Sequence, residues 1–245
     1  MASKATLRNP VAWYLDFELY YTFEVALELL EPFLPQGVAP MEIRPHTGLI
    51  GMEAIGFTED NFIDREQFAE LSFSACVHAD LRFIGTNLPK SAFLPLHIAA
   101  NSSSFLDYAA SADNIPVYKP KNLQLAIDYD QYTLSCADES GDIVELAVPT
   151  TIPQSASFEK KTLEIQLFII KNKKLYATCM TWSGKIFESQ ADDIGKKCSI
   201  NDRHSFFKGI NMKDPARNCY MVWMSPPRDR HKVTYHQPVE VRGLA

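Results

Sequence analysis

The chain between residues 116 and 123 reads Pro-Val-Tyr-Lys-Pro-Lys-Asn-Leu, and the alternating run 124–129 that follows at once predicts a β-strand. Proline fixes φ and pushes the preceding residue towards an extended backbone, so Pro116 and Pro120 leave Lys121 few directions to take. A lysine held in one direction suits imine chemistry, in which a neutral amine attacks a carbonyl group. A lysine near a strand end is also commonly a solvated surface residue, and the local pattern alone favours that interpretation.

Strand patterns dominate the rest of the chain. Residues 49–57 and 69–77 are predicted as strands, residues 218–224 as a last strand, and hairpins are predicted over 123–148, turning near Ser140 and Gly141, and over 163–182, turning at 171–174. Apolar spacing predicts a helix over 22–34, ended by Pro35 and Gly37, and a short helix over 105–110. Many hairpin strands with few helices indicate a curled or closed antiparallel sheet, a barrel or a sandwich.

The lysine segment also carries a family resemblance. Tyr118-Lys119-Pro120-Lys121-Asn122, then a strand, the turn Asp138-Glu139-Ser140-Gly141-Asp142 and a second strand, together resemble the acetoacetate decarboxylase superfamily. In that family the lysine directly after the proline forms a Schiff base with the keto substrate, and it corresponds to Lys121. Glu53 and Glu70 fall in the order and rough spacing of two active-site carboxylates of the family, and the match covers roughly residues 17–148.

The resemblance implies a mainly β (α+β) fold, a closed antiparallel β-barrel with a few peripheral helices and the lysine inside, as a single domain over residues 1–245. Two departures from the family pattern bear on the chemistry. Asn122 stands where the family has a second lysine, so Lys119 becomes the substitute cation, and residues 12–34 contain no arginine or lysine to meet a substrate carboxylate. We expect Tyr118, Lys119 and Asn122 to bind the substrate beside Lys121. The two departures argue against a simple β-keto acid as the substrate and leave open a lysine–iminium mechanism on another carbonyl compound.

Glu53 interrupts a run, residues 49–57, that is otherwise apolar on both faces. A buried carboxylate must protonate, pair with a cation or face a polar cavity. An internal salt bridge or an edge strand would explain it, and so would a general acid or base whose pKa is raised by burial. Glu70 shares its face with Ser72 and Ser74, so either solvent exposure or a second carboxyl group inside a barrel is consistent with the pattern.

Composition excludes several classes of function. The five cysteines are an odd number without a C-x-x-C pair, and the six histidines show no metal-ligand spacing, so we expect reduced thiols, no metal and no cofactor. Net charge is −6 and the basic residues form short clusters without a stacking motif, which argues against a nucleic-acid partner. No signal peptide or membrane span is evident, so we expect no membrane association and a cytoplasmic location.

Three hypotheses follow. The first is a lyase that forms a Schiff base between Lys121 and a small carbonyl compound and catalyses decarboxylation or a related lyase, dehydratase or cyclase step. The second is a non-covalent cyclase or acid–base enzyme that uses Glu53 or Glu70, and the third is a small-molecule-binding barrel without catalysis. The resemblance also implies a homo-oligomer, because members of the family commonly assemble.

Overall fold

The computed structural model describes residues 10–63, 65–78, 91–147, 158–190, 198–212, 219–236 and 238–241. Within them the chain forms two α-helices, α1 (Leu27–Leu30) and α2 (Ser103–Ser111), and short 3₁₀ turns at Glu31–Phe33 and Ser205–Phe207. The described strands, numbered β1 to β14 in chain order, are Val11–Ala26, Glu42–Arg44, Thr47–Phe57, Phe68–Val77, Ser91–Ala100, Gln124–Asp128, Thr133–Asp138, Gly141–Ala147, Glu159–Lys171, Lys174–Gln190, Ser199–Ile200, Cys219–Met224, His231–Tyr235 and Val239–Glu240. The prediction of a mainly β fold with few helices is confirmed.

The larger sheet follows a ring of pairings. From β1 they run through β3, β4, β5, β9, β10 and β13 and return to β1, and β12 bridges β1 and β10. All of these pairs are antiparallel except β5 with β9, which run parallel where residues 91–93 meet residues 165–167. The predicted all-antiparallel sheet is therefore wrong at this one junction.

The alternation of side chains along β1 separates two hydrophobic cores. Trp13 and Tyr20 belong to an inner cluster that also contains Ile55, Trp182 and Trp223. Leu15 also belongs to the inner cluster, and after the register shift between Leu15 and Phe17 the odd-numbered side chains belong to an outer cluster. This outer cluster includes Phe17, Leu19, Tyr21, Phe73, Leu134 and Leu146. Strand side chains alternate between the two faces, so one long strand can supply both cores.

A second sheet covers the outer cluster. It has the order β11-β8-β7-β6 and contributes Leu125, Leu134, Cys136 and Leu146 to that cluster. One face of the ring therefore packs under the second sheet, and the other face contributes the inner cluster. No helix in the described part of the chain is long and apolar enough to cross a membrane.

The helix predicted over residues 22–34 is largely wrong. Strand β1 continues to Ala26, which still pairs with Thr47 of β3, and only α1 and the following 3₁₀ turn are helical. The aromatic and β-branched run Tyr20–Val25 gains a full set of strand partners, and tertiary pairing overrides the helical spacing.

The hairpin predicted over residues 123–148 is a three-stranded unit with an additional turn before β7. Tyr132 takes a left-handed φ of 55° in this turn, although it is neither Gly nor Asn. The hairpin of β9 and β10, the strands at 49–57 and 69–77 and the helix α2 were predicted correctly apart from their ends.

Candidate active site

Strand register brings three glutamates to one face of the ring. Ile55 of β3 lies opposite Glu18 of β1 on one side and opposite Glu70 of β4 on the other. Glu53 lies two residues before Ile55 and therefore faces the same side. Three adjacent strands thus place three carboxyl groups around one point of the inner surface.

Glu18 is the most completely partnered of the three. Its Oε2 accepts a hydrogen bond from Trp182 Nε1 at 2.6 Å and lies 2.7 Å from His231 Nε2, and the side chains of Glu18 and His231 are only 2% and 1% exposed. The other ring nitrogen of His231 lies 3.1 Å from the carbonyl oxygen of Asp229, so both nitrogens face acceptors. An imidazole that donates from both nitrogens is protonated.

The pKa of His231 agrees with this assignment. Burial works to lower it, but the hydrogen bond and the negative charge of Glu18 outweigh burial and raise the pKa above its ordinary value. Gly184 makes the packing possible, because a Cβ at this position would lie 2.5 Å from the His231 Cβ. His231 and Glu18 therefore form a buried ion pair under the carboxyl cluster.

Glu53 and Glu70 hold protons more strongly than ordinary glutamates. Burial raises the pKa of Glu53 well above its usual range, and the charge and hydrogen bond of Glu18 raise it further. Burial alone raises the pKa of Glu70 to about 8. One group in this site is therefore a proton donor at neutral pH, and the other changes protonation close to neutrality.

These carboxyl groups line a cavity of about 50 Å³. It shares Tyr20, Phe93, Ile165 and Trp223 with a cleft of about 630 Å³, and it shares Ile115, Leu167 and Tyr235 with a second cleft of about 520 Å³. The negative charges of Glu70 and Glu53 add to burial in raising the pKa of Tyr235. No group of three or more His, Cys, Asp or Glu side chains in the described ranges is arranged to hold a metal ion.

Comparison with solved structures decides the fold. Acetoacetate decarboxylase from Legionella pneumophila superposes with a TM-score of 0.59 at 14% identity, over 99% of this chain and 94% of that one. This chain has the acetoacetate decarboxylase fold. The enduracididine biosynthesis enzyme MppR complexed with pyruvate follows at 0.55 and 11%, over 99% and 93% of the two chains. An acetoacetate decarboxylase-like enzyme from Sphingomonas wittichii RW1 gives 0.51 and 10%, over 96% and 93%.

The resemblance to the acetoacetate decarboxylase superfamily predicted from the lysine segment is thereby confirmed at the level of the fold. No family model matches the sequence, and no curated protein matches it either.

Within this acetoacetate decarboxylase fold, the structure does not place Lys121 with the glutamates. Val117 bridges to Ile98 of β5 and packs against the inner cluster, but the chain then crosses outward, and Tyr118 and Leu123 pack against the outer cluster. Lys121 follows the crossing, on an exposed turn whose amide lies 3.4 Å from Glu139 Oε1. The expected interior position of Lys121 is therefore wrong, while its Schiff-base role stays a prediction.

The three expected neighbours of Lys121 have other partners. The Tyr118 hydroxyl donates a hydrogen bond to Asp138 Oδ2 at 2.5 Å, and His204 Nε2 lies 3.2 Å from Asp138 Oδ1. Lys119 forms an ion pair with Asp107, and Asn122 is exposed and donates its backbone N–H to Glu139 Oε2. The charge of Lys119 is therefore balanced by Asp107. An unpaired Lys119 would have been needed to lower the pKa of Lys121 by repulsion between the two cations.

Sequence reasoning found two of the three glutamates and missed the groups around them. Glu18 lies in the long strand β1, on the same side as Tyr20, but reading the later part of this strand as a helix hid that alternation. Trp182 and His231 come from β10 and β13, far along the chain, and no local pattern links them to Glu18. The available signal for Glu18 was weaker than that for Glu53, because β1 also contains Asp16 and Glu24.

Proposed function

We propose that this protein is an enzyme that moves protons on a small carbonyl compound, with Glu70 as general base and Glu53 as general acid, inside a ring of strands that forms a closed barrel. The observation that carries the proposal is the cluster of three carboxyl groups: Glu18 and Glu70 are buried, Glu53 is partly buried, and among the described residues only Glu18 has a cationic partner, His231. A fold that needed only stability would gain little from placing two further carboxyl groups in this interior without neighbouring cations.

The two groups suit the two halves of an enolisation. The Glu70 carboxylate removes a proton from the carbon beside the carbonyl, and that C–H electron pair moves towards the carbonyl carbon. The Glu53 carboxyl group turns its one O–H from Glu18 to the carbonyl oxygen, where negative charge develops, and donates a hydrogen bond or its proton there. The enol then takes up a proton, loses a β-substituent or attacks a second carbonyl group, which gives isomerisation, dehydration or cyclisation.

The Glu18–His231 pair acts as a positioning element in this scheme. Burial and the negative charge of the neighbouring Glu18 raise the pKa of Glu53 and keep this group protonated at neutral pH, so that Glu53 remains a donor. Trp182 holds the other side of Glu18 in place through its ring N–H.

The structural relatives support a carbonyl substrate. MppR has been solved with pyruvate and with the condensation product of pyruvate and imidazole 4-carboxaldehyde, and both ligands derive from carbonyl compounds. The lysine-dependent alternative, decarboxylation or a related lyase step through a Lys121 imine, uses the same class of substrate. We rank it second because the described residues that line the carboxyl cavity include no lysine.

Exchange of α-protons tests the proposal directly. A ketone in D₂O is followed by NMR with the wild type, Glu53→Gln, Glu70→Gln and the control Glu66→Gln, which lies on an exposed turn of the same segment. We expect each of the first two substitutions to slow exchange about a hundredfold or more, and the control to match the wild type. The rate should rise with pH and level off above about 8, where Glu70 is ionised.

Borohydride trapping separates the alternatives. Reduction of the protein with ketone, followed by peptide mass mapping, should leave Lys121 unmodified. An adduct on Lys121, together with lost activity in Lys121→Ala and retained activity in Glu70→Gln, would establish the imine mechanism instead. Ligand binding with no exchange in any variant would identify a binding protein.

A further inference from the structure

We propose that the substrate is a neutral ketone or aldehyde with an extended apolar body, which lies in the 630 Å³ cleft while its carbonyl group enters the carboxyl cavity. The inference rests on the proposed function for the chemistry at the carbonyl. It adds the class of molecule, its charge and its orientation.

The carboxyl cavity and the adjoining cleft differ greatly in volume. The carboxyl cavity, at about 50 Å³, has room for a carbonyl group and an adjacent carbon and for little more. The adjoining cleft, at about 630 Å³, falls within the range of about 300 to 1,000 Å³ that is typical of sites for whole small molecules. A substrate that reacts at the glutamates and fills the available space must therefore extend into the cleft.

The surface that joins the carboxyl cavity to the cleft is apolar. The four side chains shared by both spaces are apolar or aromatic: Tyr20, Phe93, Ile165 and Trp223. Leu163 and Met221 continue this surface outward, and Tyr220 at the cleft is 39% exposed, one of three large hydrophobic residues exposed in the described structure. An apolar body would cover this surface and remove it from water.

The charges around the two spaces favour an uncharged substrate. The described residues that line the carboxyl cavity include two acidic side chains and no basic one. In the cleft, Lys161 lies 3.7 Å from Glu159 and 3.8 Å from Glu188, so its charge is already balanced by anions. A carboxylate next to the reacting carbonyl would lose its hydration without gaining a cation, and this disfavours keto acids.

A series of 2-alkanones from acetone to 2-nonanone tests the inference on the wild type, with Kd measured from tryptophan fluorescence and α-proton exchange by NMR. Each added methylene should tighten binding about three- to fourfold until the cleft is filled. The keto acid 2-oxononanoate carries its charge beside the carbonyl and should bind at least tenfold more weakly than 2-nonanone. Equal Kd values along the series, or tighter binding of 2-oxononanoate, would overturn the inference.

A larger side chain that fills the cleft can be compared with the same substitution outside it. Leu163→Trp should weaken binding of 2-nonanone at least tenfold, whereas Ile170→Trp, on the same strand but outside this cleft, should leave both the binding of 2-nonanone and the exchange of acetone unchanged. Tyr220→Ser, at the exposed rim, should weaken 2-nonanone severalfold without a change in the folded core. Unchanged binding of 2-nonanone in both cleft variants would contradict the proposed location.

Failure of this inference can be told from failure of the proposed function. Exchange that depends on Glu53 and Glu70 but not on chain length would keep the function and reject the extended substrate. Binding that depends on chain length and on the cleft variants, without exchange of any ketone, would keep the ligand class and reject the proton-transfer function.

Discussion

Replacing Glu70 with glutamine should stabilise the protein at neutral and alkaline pH. In the unfolded chain this side chain has its ordinary pKa, 4.5, whereas burial raises its pKa in the folded protein to about 8. Between these values the folded protein holds a proton that the unfolded chain has released, so the free energy of unfolding falls as pH rises. Glutamine resembles the protonated form and does not titrate.

The magnitude follows from the two pKa values. Each pH unit between them lowers the free energy of unfolding by about 1.4 kcal/mol, which amounts to about 3 kcal/mol at pH 7 and about 5 kcal/mol above pH 8. Net stabilities of domains are about 5 to 15 kcal/mol, so the effect is large enough to dominate the pH dependence of this protein. Ionisation of Glu53, which lines the same cavity, adds in the same direction.

Urea unfolding of the wild type, Glu70→Gln and the exposed control Glu66→Gln, each from pH 5 to pH 9, provides the test. The wild type should lose stability over this range, and the difference between Glu70→Gln and the wild type should grow with pH. The control should stay within about 0.5 kcal/mol of the wild type. A constant difference between Glu70→Gln and the wild type across the range would show that Glu70 titrates normally, and the reasoning would fail.

Three further substitutions test the interior. His231→Ala should lower stability by about 3 to 5 kcal/mol in urea unfolding because it leaves the buried Glu18 without a cation, and a loss under 1 kcal/mol would argue against the ion pair. Gln166→Leu should raise stability by about 1 to 3 kcal/mol, since both polar atoms of this fully buried side chain lack a hydrogen-bond partner among the described residues, and a lower melting temperature would contradict this. Gly184→Ala should cost about 1 to 3 kcal/mol because its Cβ meets His231, and unchanged melting would mean that the strands shift freely.

Local patterns predicted several elements because each depends on nearby residues. The alternation in residues 49–57 and 69–77 gave the strands that carry Glu53 and Glu70, and the turn at Asn172 and Lys173, both with positive φ, joins the predicted hairpin. The helix over residues 22–34 failed because the identity of that segment depends on pairing with β3 and β12, which are distant in sequence. The lysine segment led to the correct fold, although Lys121 itself does not lie with the glutamates.

The residues alone predict a mainly β chain, a resemblance to the acetoacetate decarboxylase superfamily and a Glu53 that lies in an apolar run. These conclusions need only composition, alternation and a short motif. Which residues share a site depends on long-range pairing, because strand register and the outward crossing after Val117 are set by contacts between distant segments. That pairing joined Glu18, Glu53 and Glu70 with His231 and left Lys121 in solvent.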